Sequence, residues 1–188
     1  MQPLGKNSSV GKPFSSAPVD VAGYHWHTMG ALYRRTYLDN VGPWNEELTG
    51  SQDWEYQARV KLAGGQGKFV DTVVGYWRQH SHERVGTRSF RYDYVRSVMT
   101  ACASILRLAR ETGHCDSALE RKLAKKLIAH AIELGASGYP AERFECLSQA
   151  ASALRESAWL RAMVECLRFT PSFADRWLWQ LLVAHRLA

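Results

Sequence analysis

An α/β unit followed by an all-helical region is the fold class that this sequence predicts, and three observations support it. Eleven of the fourteen glycines precede residue 88, whereas the remainder is rich in Ala, Leu, Arg and Glu. An apolar run at residues 26–34 and a β-branched and aromatic run at residues 68–77 are typical of strands. Beyond residue 89 the apolar side chains recur at the helical spacing of three and four. We therefore predict an irregular leader at residues 1–21, an α/β unit at 22–88 and a helical region at 89–188.

Two helices are expected between the predicted strands. Residues 35–40 form a short helical pattern that Gly42 and Pro43 close. Residues 52–63 form a second one, in which apolar side chains recur at helical spacing and the pair at residues 64–65, Gly-Gly, provides the stop. This second helix places Asp53 in its first turn.

The helical region is predicted to contain five helices. The first carries an apolar stripe from Phe90 to Ala109 and ends at Gly113. Ser117 and Glu120 have the spacing of a capping box that opens the second helix, and Pro140 suits the first turn of the third. The fourth ends before residue 171, and the fifth carries an aromatic and aliphatic stripe at residues 173–182.

Charge and cysteine content limit the classes of function. The net charge of +6 favours anionic partners, but residues 1–88 carry ten Lys and Arg against eight Asp and Glu, and residues 89–188 carry fourteen against ten. Neither half is a dense polycation, which argues against nucleic acid as the partner. Because the four cysteines are widely spaced, we expect reduced core thiols in a cytoplasmic protein, and peripheral contact with the inner membrane surface stays open.

Several short motifs occur in a fixed order within residues 22–88. They are MGALYRR at residues 29–35, VGPWNEEL at 41–48, QDWE at 52–55 followed by Arg59, and YWRQH at 76–80. Together they resemble the second half of family 2 glycosyltransferases of the GT-A type. There, a strand ending in Arg-Arg, a Val-Gly-Gly-Phe-Asp-Glu-x-Leu loop, a Glu-Asp pair with a later Arg, and a Tyr-Arg-x-His segment follow one another. The resemblance implies that the α/β unit is the C-terminal half of a GT-A fold.

The resemblance implies sugar transfer from a nucleotide-sugar donor to an acceptor hydroxyl, with Asp53 as the general base. An attacking hydroxyl needs a carboxylate within hydrogen-bond reach, and a first helical turn presents one rigidly. The simpler alternative is that Asp53 only caps its helix. Gln52 stands where the family has the Glu of its acidic pair, which leaves a second negative charge beside the base in doubt.

The same resemblance implies the other site residues. Substrate-binding roles fall to Trp44, Trp54, Arg59, Arg78 and Arg84. His80 matches the histidine that approaches the divalent cation, Mn²⁺ or Mg²⁺, or the diphosphate of the complete enzyme. The expected partners are a nucleotide-sugar and an acceptor glycan or lipid-linked sugar.

A nucleotide-binding half with its Asp-x-Asp motif is missing from this sequence. We therefore expect a truncated or partial glycosyltransferase that is inactive as an isolated chain, with another chain as a candidate source of the donor half.

Two further functions stay open. The helical region could be a non-catalytic module that docks on a partner or a membrane, because residues 176–182 mix a cation with aromatic and aliphatic side chains as interfacial helices do. Alternatively, the pairs His25 with His27 and His80 with His82, together with Asp53, could form a metallohydrolase site.

Overall fold

The computed structural model describes residues 2–3, 21–23, 26, 28–68, 70, 72–73, 75–77 and 92–170. Six α-helices provide nearly all of the regular structure in this part of the chain: α1 Arg35–Val41, α2 Gln52–Leu62, α3 Tyr92–Glu111, α4 Ser117–Ala136, α5 Pro140–Ala153 and α6 Ala158–Phe169. One 3-10 turn, Thr28–Gly30, precedes α1. Two short strands, β1 Gln2–Pro3 and β2 Tyr76–Trp77, pair antiparallel.

The predicted α/β class is wrong for the described residues, which are helical apart from that two-residue pairing, so no half of a GT-A sheet is evident. In the predicted strand at 26–34, the described residues form the 3-10 turn and an irregular stretch in which Leu32 is fully exposed. Among the described residues of the predicted strand at 68–77, Val70 and Val73 are exposed, and only Tyr76 and Trp77 are in a strand. A β-branched sequence forms a strand only when a neighbouring strand and a buried face accept it.

The helix predictions within residues 22–88 are confirmed. Helix α1 ends where Gly42 adopts φ +83°, a left-handed conformation that glycine adopts without strain. Helix α2 begins after Ser51, which has φ +60°, and eight of its eleven residues are buried. Two of its three buried polar side chains donate to backbone carbonyls, Gln57 Nε2 to Trp26 O at 2.6 Å and Lys61 Nζ to Gly23 O.

Helices α3 to α6 confirm the helical region as far as residue 170, and the predicted fifth helix at 173–182 lies outside the described residues. Helix α4 packs chiefly on α5, which also packs on α6. Pro140 occupies the first turn of α5, as predicted. One continuous apolar core includes Trp54 of α2 as well as side chains of α3 to α6, so it crosses the segment boundary predicted at residue 88.

The predicted capping box at the start of α4 is wrong. Asp116 is the N-cap, and its Oδ1 accepts from the backbone N–H of Leu119 at 2.7 Å. Ser117 is therefore the first helical residue, and Glu120 lies one position beyond the place that the box requires. The Glu120 carboxylate is instead buried and accepts from Arg110 Nη2 at 3.2 Å and from two backbone N–H groups of the α5–α6 connection.

The four cysteines are free thiols with different surroundings. Cys102 and Cys146 are buried, and desolvation raises the pKa of each to about 12. Cys115 is half-buried and Cys166 is exposed. The expectation of core thiols thus holds for two of the four. Among the described residues, no helix combines the length and apolar character needed to cross a bilayer.

Candidate functional site

An open cleft of about 1010 Å³ lies where the loop before α2 meets α3 and α4. Its walls come from three parts of the chain: the segment before α1 through Ala22 and Thr28, several residues between Trp44 and Trp54, and the helical region through Tyr94 and Lys126. Three of the predicted site residues line it, namely Trp44, Asp53 and Trp54. A cleft of this size accommodates a sugar with its substituents.

Asp53 presents a half-buried carboxylate from the first turn of α2. Its Oδ1 accepts from the backbone N–H of Trp54 at 2.8 Å, and its Oδ2 accepts from Thr28 Oγ1 at 3.4 Å. The bond to the backbone is what a residue that stabilises the helix start would make. The Asp53 carboxylate can therefore line the cleft and stabilise the start of α2 at the same time.

Trp44 forms an aromatic surface in the cleft. Its ring stacks on the ring of Tyr56 with centroids 4.8 Å apart and an interplanar angle of 4°, and 41% of the residue remains exposed. Because Tyr56 itself is buried, the indole is held from one side. A rigid indole with an exposed face is the kind of surface on which the C–H side of a pyranose packs.

Trp54 contributes to the wall in a different way. It is only 5% exposed, and its Nε1 donates to the carbonyl of Ala22 at 2.9 Å. The ammonium of Lys126 lies 4.6 Å from the centroid of its ring. Buried and covered in this manner, Trp54 shapes the cleft and offers little surface for stacking.

Arg59, predicted to bind substrate, is engaged within the protein. Its Nε donates to both carboxylate oxygens of Glu55 at 3.0 Å, Nη1 donates to Val41 O at 2.9 Å, and Nη2 donates to Pro43 O at 2.8 Å. The side chain does not line the cleft. Arg59 fixes the loop that carries Trp44, which is a positioning role.

Several cleft residues were not singled out from the sequence. Asn45 and Gln52 each use one amide group inside the protein, through Asn45 Oδ1 with the N–H of Glu47 and Gln52 Nε2 with Leu48 O. Asn45 follows Trp44 within the motif at residues 41–48, so the order of the motifs could have identified it as a cleft residue. Lys126 is more than seventy positions after Asp53, on a different helix, and no local motif marks it.

The remaining predicted site residues, Arg78, His80 and Arg84, lie outside the described residues, as do His25, His27 and His82. Within the described part of the chain, no group of three or more His, Cys, Asp or Glu side chains is arranged to hold a metal ion. The predicted metal-binding role of His80 stays a prediction, because His80 lies outside the described residues.

Comparison of the chain with protein-family models, curated proteins and solved structures gave no significant match.

Proposed function

We propose that this chain provides the acceptor-binding side of a glycosyl-transfer site, with Asp53 as the general base. The observation that carries the proposal is the position of the Asp53 carboxylate in one open cleft with the exposed, stacked Trp44. The proposal draws on the ordered motifs within residues 22–88 for the reaction class and on the cleft for the residues that act.

In the proposed reaction the acceptor sugar packs on Trp44 and directs one hydroxyl toward Asp53. The carboxylate accepts the hydroxyl proton as the oxygen forms a bond to the anomeric carbon of the donor. The bond from that carbon to the nucleotide diphosphate breaks, and the diphosphate leaves with the bonding electron pair. Base catalysis of this kind contributes about 10²–10⁴-fold to a rate. Donor binding depends on residues other than those that line the described cleft.

The amide groups of the cleft support the choice of a sugar. Asn45 Nδ2 and Gln52 Oε1 have no hydrogen-bond partner among the described residues. One donor and one acceptor beside an aromatic face match the alternating apolar and hydroxyl surfaces of a sugar.

Acceptor binding is the first test. Titration of the ¹⁵N-labelled chain with a panel of methyl glycosides, followed by NMR, detects the millimolar affinities that small sugars have. We expect at least one glycoside to shift the Trp44 indole signal, and Trp44→Ala to abolish that binding. Trp159→Ala is the matched control, because Trp159 is exposed on α6 and does not line the cleft.

The base is tested separately with Asp53→Asn. We expect the variant to retain glycoside binding. With each nucleotide sugar from which the wild type forms a glycoside product, we expect the variant to form that product about 10²–10⁴-fold more slowly. If no sugar binds, or if Trp44→Ala and Trp159→Ala behave alike, the proposed function is wrong.

Docking through α6 is the second candidate, and one observation favours it. Trp159, Ala162, Cys166 and Phe169 are all exposed and share one face of α6, with Trp159 56% and Phe169 79% exposed. Exposed aromatic residues of this kind mark an interaction surface. The test is co-sedimentation with anionic phospholipid vesicles, in which Trp159→Ala with Phe169→Ala should remove any binding while Trp44→Ala leaves it unchanged.

A further inference from the structure

Lys126 is the one cationic side chain among the described residues that line the cleft. It reaches the cleft from α4, and its ammonium lies over the ring of Trp54. Among the described residues it makes no ion pair, since none of the carboxylates there lies within 4.0 Å of its Nζ. An ammonium has three N–H donors, and an aromatic face satisfies it only in part.

The surroundings of Lys126 on α4 are also basic. Four of the six residues from Arg121 to Lys126 are Arg or Lys. The nearest acid before them, Glu120, is buried and bonded to Arg110 and to backbone N–H groups, so it does not neutralise the cleft. Lys126 is therefore the cleft-lining member of a basic stretch of α4.

The same cleft is also lined by the carboxylates of Asp53 and Glu46, which an anionic group would avoid. A ligand that carries both a phosphate and a neutral hydroxyl is compatible with both kinds of charge. Its phosphate contacts the ammonium, while its hydroxyl contacts the carboxylate.

We propose that the acceptor is a phosphorylated sugar and that Lys126 is the residue that selects it. This inference rests on the proposed function, because it names the class of acceptor for the same cleft. The phosphate can come from a free sugar phosphate or from a lipid-linked one, and both present the same group to the ammonium. Lys126 supplies a point charge, so it discriminates by charge more than by geometry.

The experiment compares, by NMR titration, a methyl glycoside that binds with the 1-phosphate of the same sugar. We expect the phosphate to bind about five- to tenfold more tightly at low salt, as a charge-assisted hydrogen bond in a partly exposed site provides. Lys126→Gln should abolish this preference, so that the glycoside and the sugar phosphate bind with equal affinity. Lys126→Arg should retain it, because the charge remains.

Lys125→Gln is the matched control, since it removes one charge from the same helix at a position that does not line the cleft. We expect it to keep most of the preference. An octyl phosphodiester of the same sugar distinguishes the two sources: tighter binding than the 1-phosphate supports a lipid-linked acceptor, and equal or weaker binding supports a free one.

The two proposals fail in different ways. Equal binding of glycoside and sugar phosphate, or a preference that survives Lys126→Gln, overturns the selection by Lys126 and leaves sugar binding intact. Inorganic phosphate that binds as tightly as the sugar phosphate, with no glycoside binding, overturns both.

Discussion

Replacing Glu55 by Gln should destabilise the protein far more than the same change at Glu111. Both residues pair with an arginine four positions away on one helix, Glu55 with Arg59 on α2 and Glu111 with Arg107 on α3. The Glu55 side chain is 3% exposed, whereas that of Glu111 is 52% exposed. The pairs share their residue types and spacing, although they run in opposite directions along the helix, and the largest difference between them is burial.

The magnitude follows from the bonds of the Glu55 carboxylate. Its two oxygens share the single N–H of Arg59 Nε, and one of them also accepts from Ser104 Oγ, all at 3.0 Å. A hydrogen bond to a charged group is worth about 1 kcal/mol more than a neutral one, and Gln keeps a single acceptor oxygen. Losing the charge on the bonds from Arg59 and Ser104 therefore costs about 2 kcal/mol. For a chain of this length that corresponds to a fall in Tm of roughly 4–8 °C.

Urea and thermal unfolding followed by circular dichroism measure the effect. Glu111→Gln, as an exposed helical pair, should change the free energy of unfolding by about 0.5 kcal/mol or less. Glu55→Ala should cost about 3–5 kcal/mol, because it leaves Arg59 with no carboxylate. If Glu55→Gln and Glu111→Gln lower the stability equally, the reasoning from burial is refuted.

Three further predictions concern other parts of the structure. Gly50→Ala should lower the free energy of unfolding by about 1–3 kcal/mol, since a Cβ at Gly50 would lie 2.4 Å from the Tyr94 ring. Acidification should destabilise the protein through His130, because burial lowers the pKa of His130 below its usual 6.5 and the unfolded chain then binds the proton more readily. Modification by a disulfide reagent at pH 8 should be fast at exposed Cys166 and very slow at Cys102, of which about one molecule in ten thousand is thiolate when its pKa is about 12.

Thermal unfolding checks the first of these, with Gly30→Ala as the control, because a Cβ at Gly30 meets nothing within 4 Å. An equal Tm for both variants would contradict the predicted clash.

For His130 the measurement is the change in Tm from pH 7.5 to pH 5.5. The groups near its ring are Glu133, which raises its pKa, Lys126, which lowers it, and Tyr94 at an edge contact of 6.1 Å. Because the folded pKa lies below the unfolded one, stability is present above about pH 6.5 and declines as the pH falls. His130→Gln should decline less, and an identical decline would mean that another group is responsible.

For the thiols, the colour released by the reagent is followed in time. Cys166→Ser should remove the fast phase, and a fast phase that persists at full amplitude would contradict the predicted order of reactivity.

The sequence predicted the helices well because their signals are local. Apolar spacing within α3 and the turn chemistry of Gly42 and Pro140 act over a few residues, and the structure follows them. The strands were predicted wrongly because a run such as residues 68–77 depends on partners elsewhere in the chain, which its own composition does not reveal. The error at Ser117 was a shift of one position, since Asp116 competes for the same capping role.

The candidate site was predictable only in part. Trp44 and Asp53 follow from motif order, and both line the cleft. The role of Arg59 was not readable, because its partners at Val41 and Pro43 are brought to it by the turn after α1. Lys126 was missed because α3, which packs on both α2 and α4, brings it to Trp54, and not sequence proximity.

The walls of the cleft come from parts of the sequence before and after residue 88, and this affects how substitutions could change the cleft. The backbone N–H of Thr49 donates to Ser97 Oγ at 2.9 Å, and Ser104 Oγ donates to Glu55, so α3 is bonded both to the loop before α2 and to α2 itself. Tyr94 and Lys126 reach the cleft from helices that lie after residue 88, whereas Asp53 lies before it. Under the proposed function, substitutions confined to these helices would alter ligand preference without changing the carboxylate. In that proposal one segment keeps the chemistry constant, and the other is open to variation that creates new specificities.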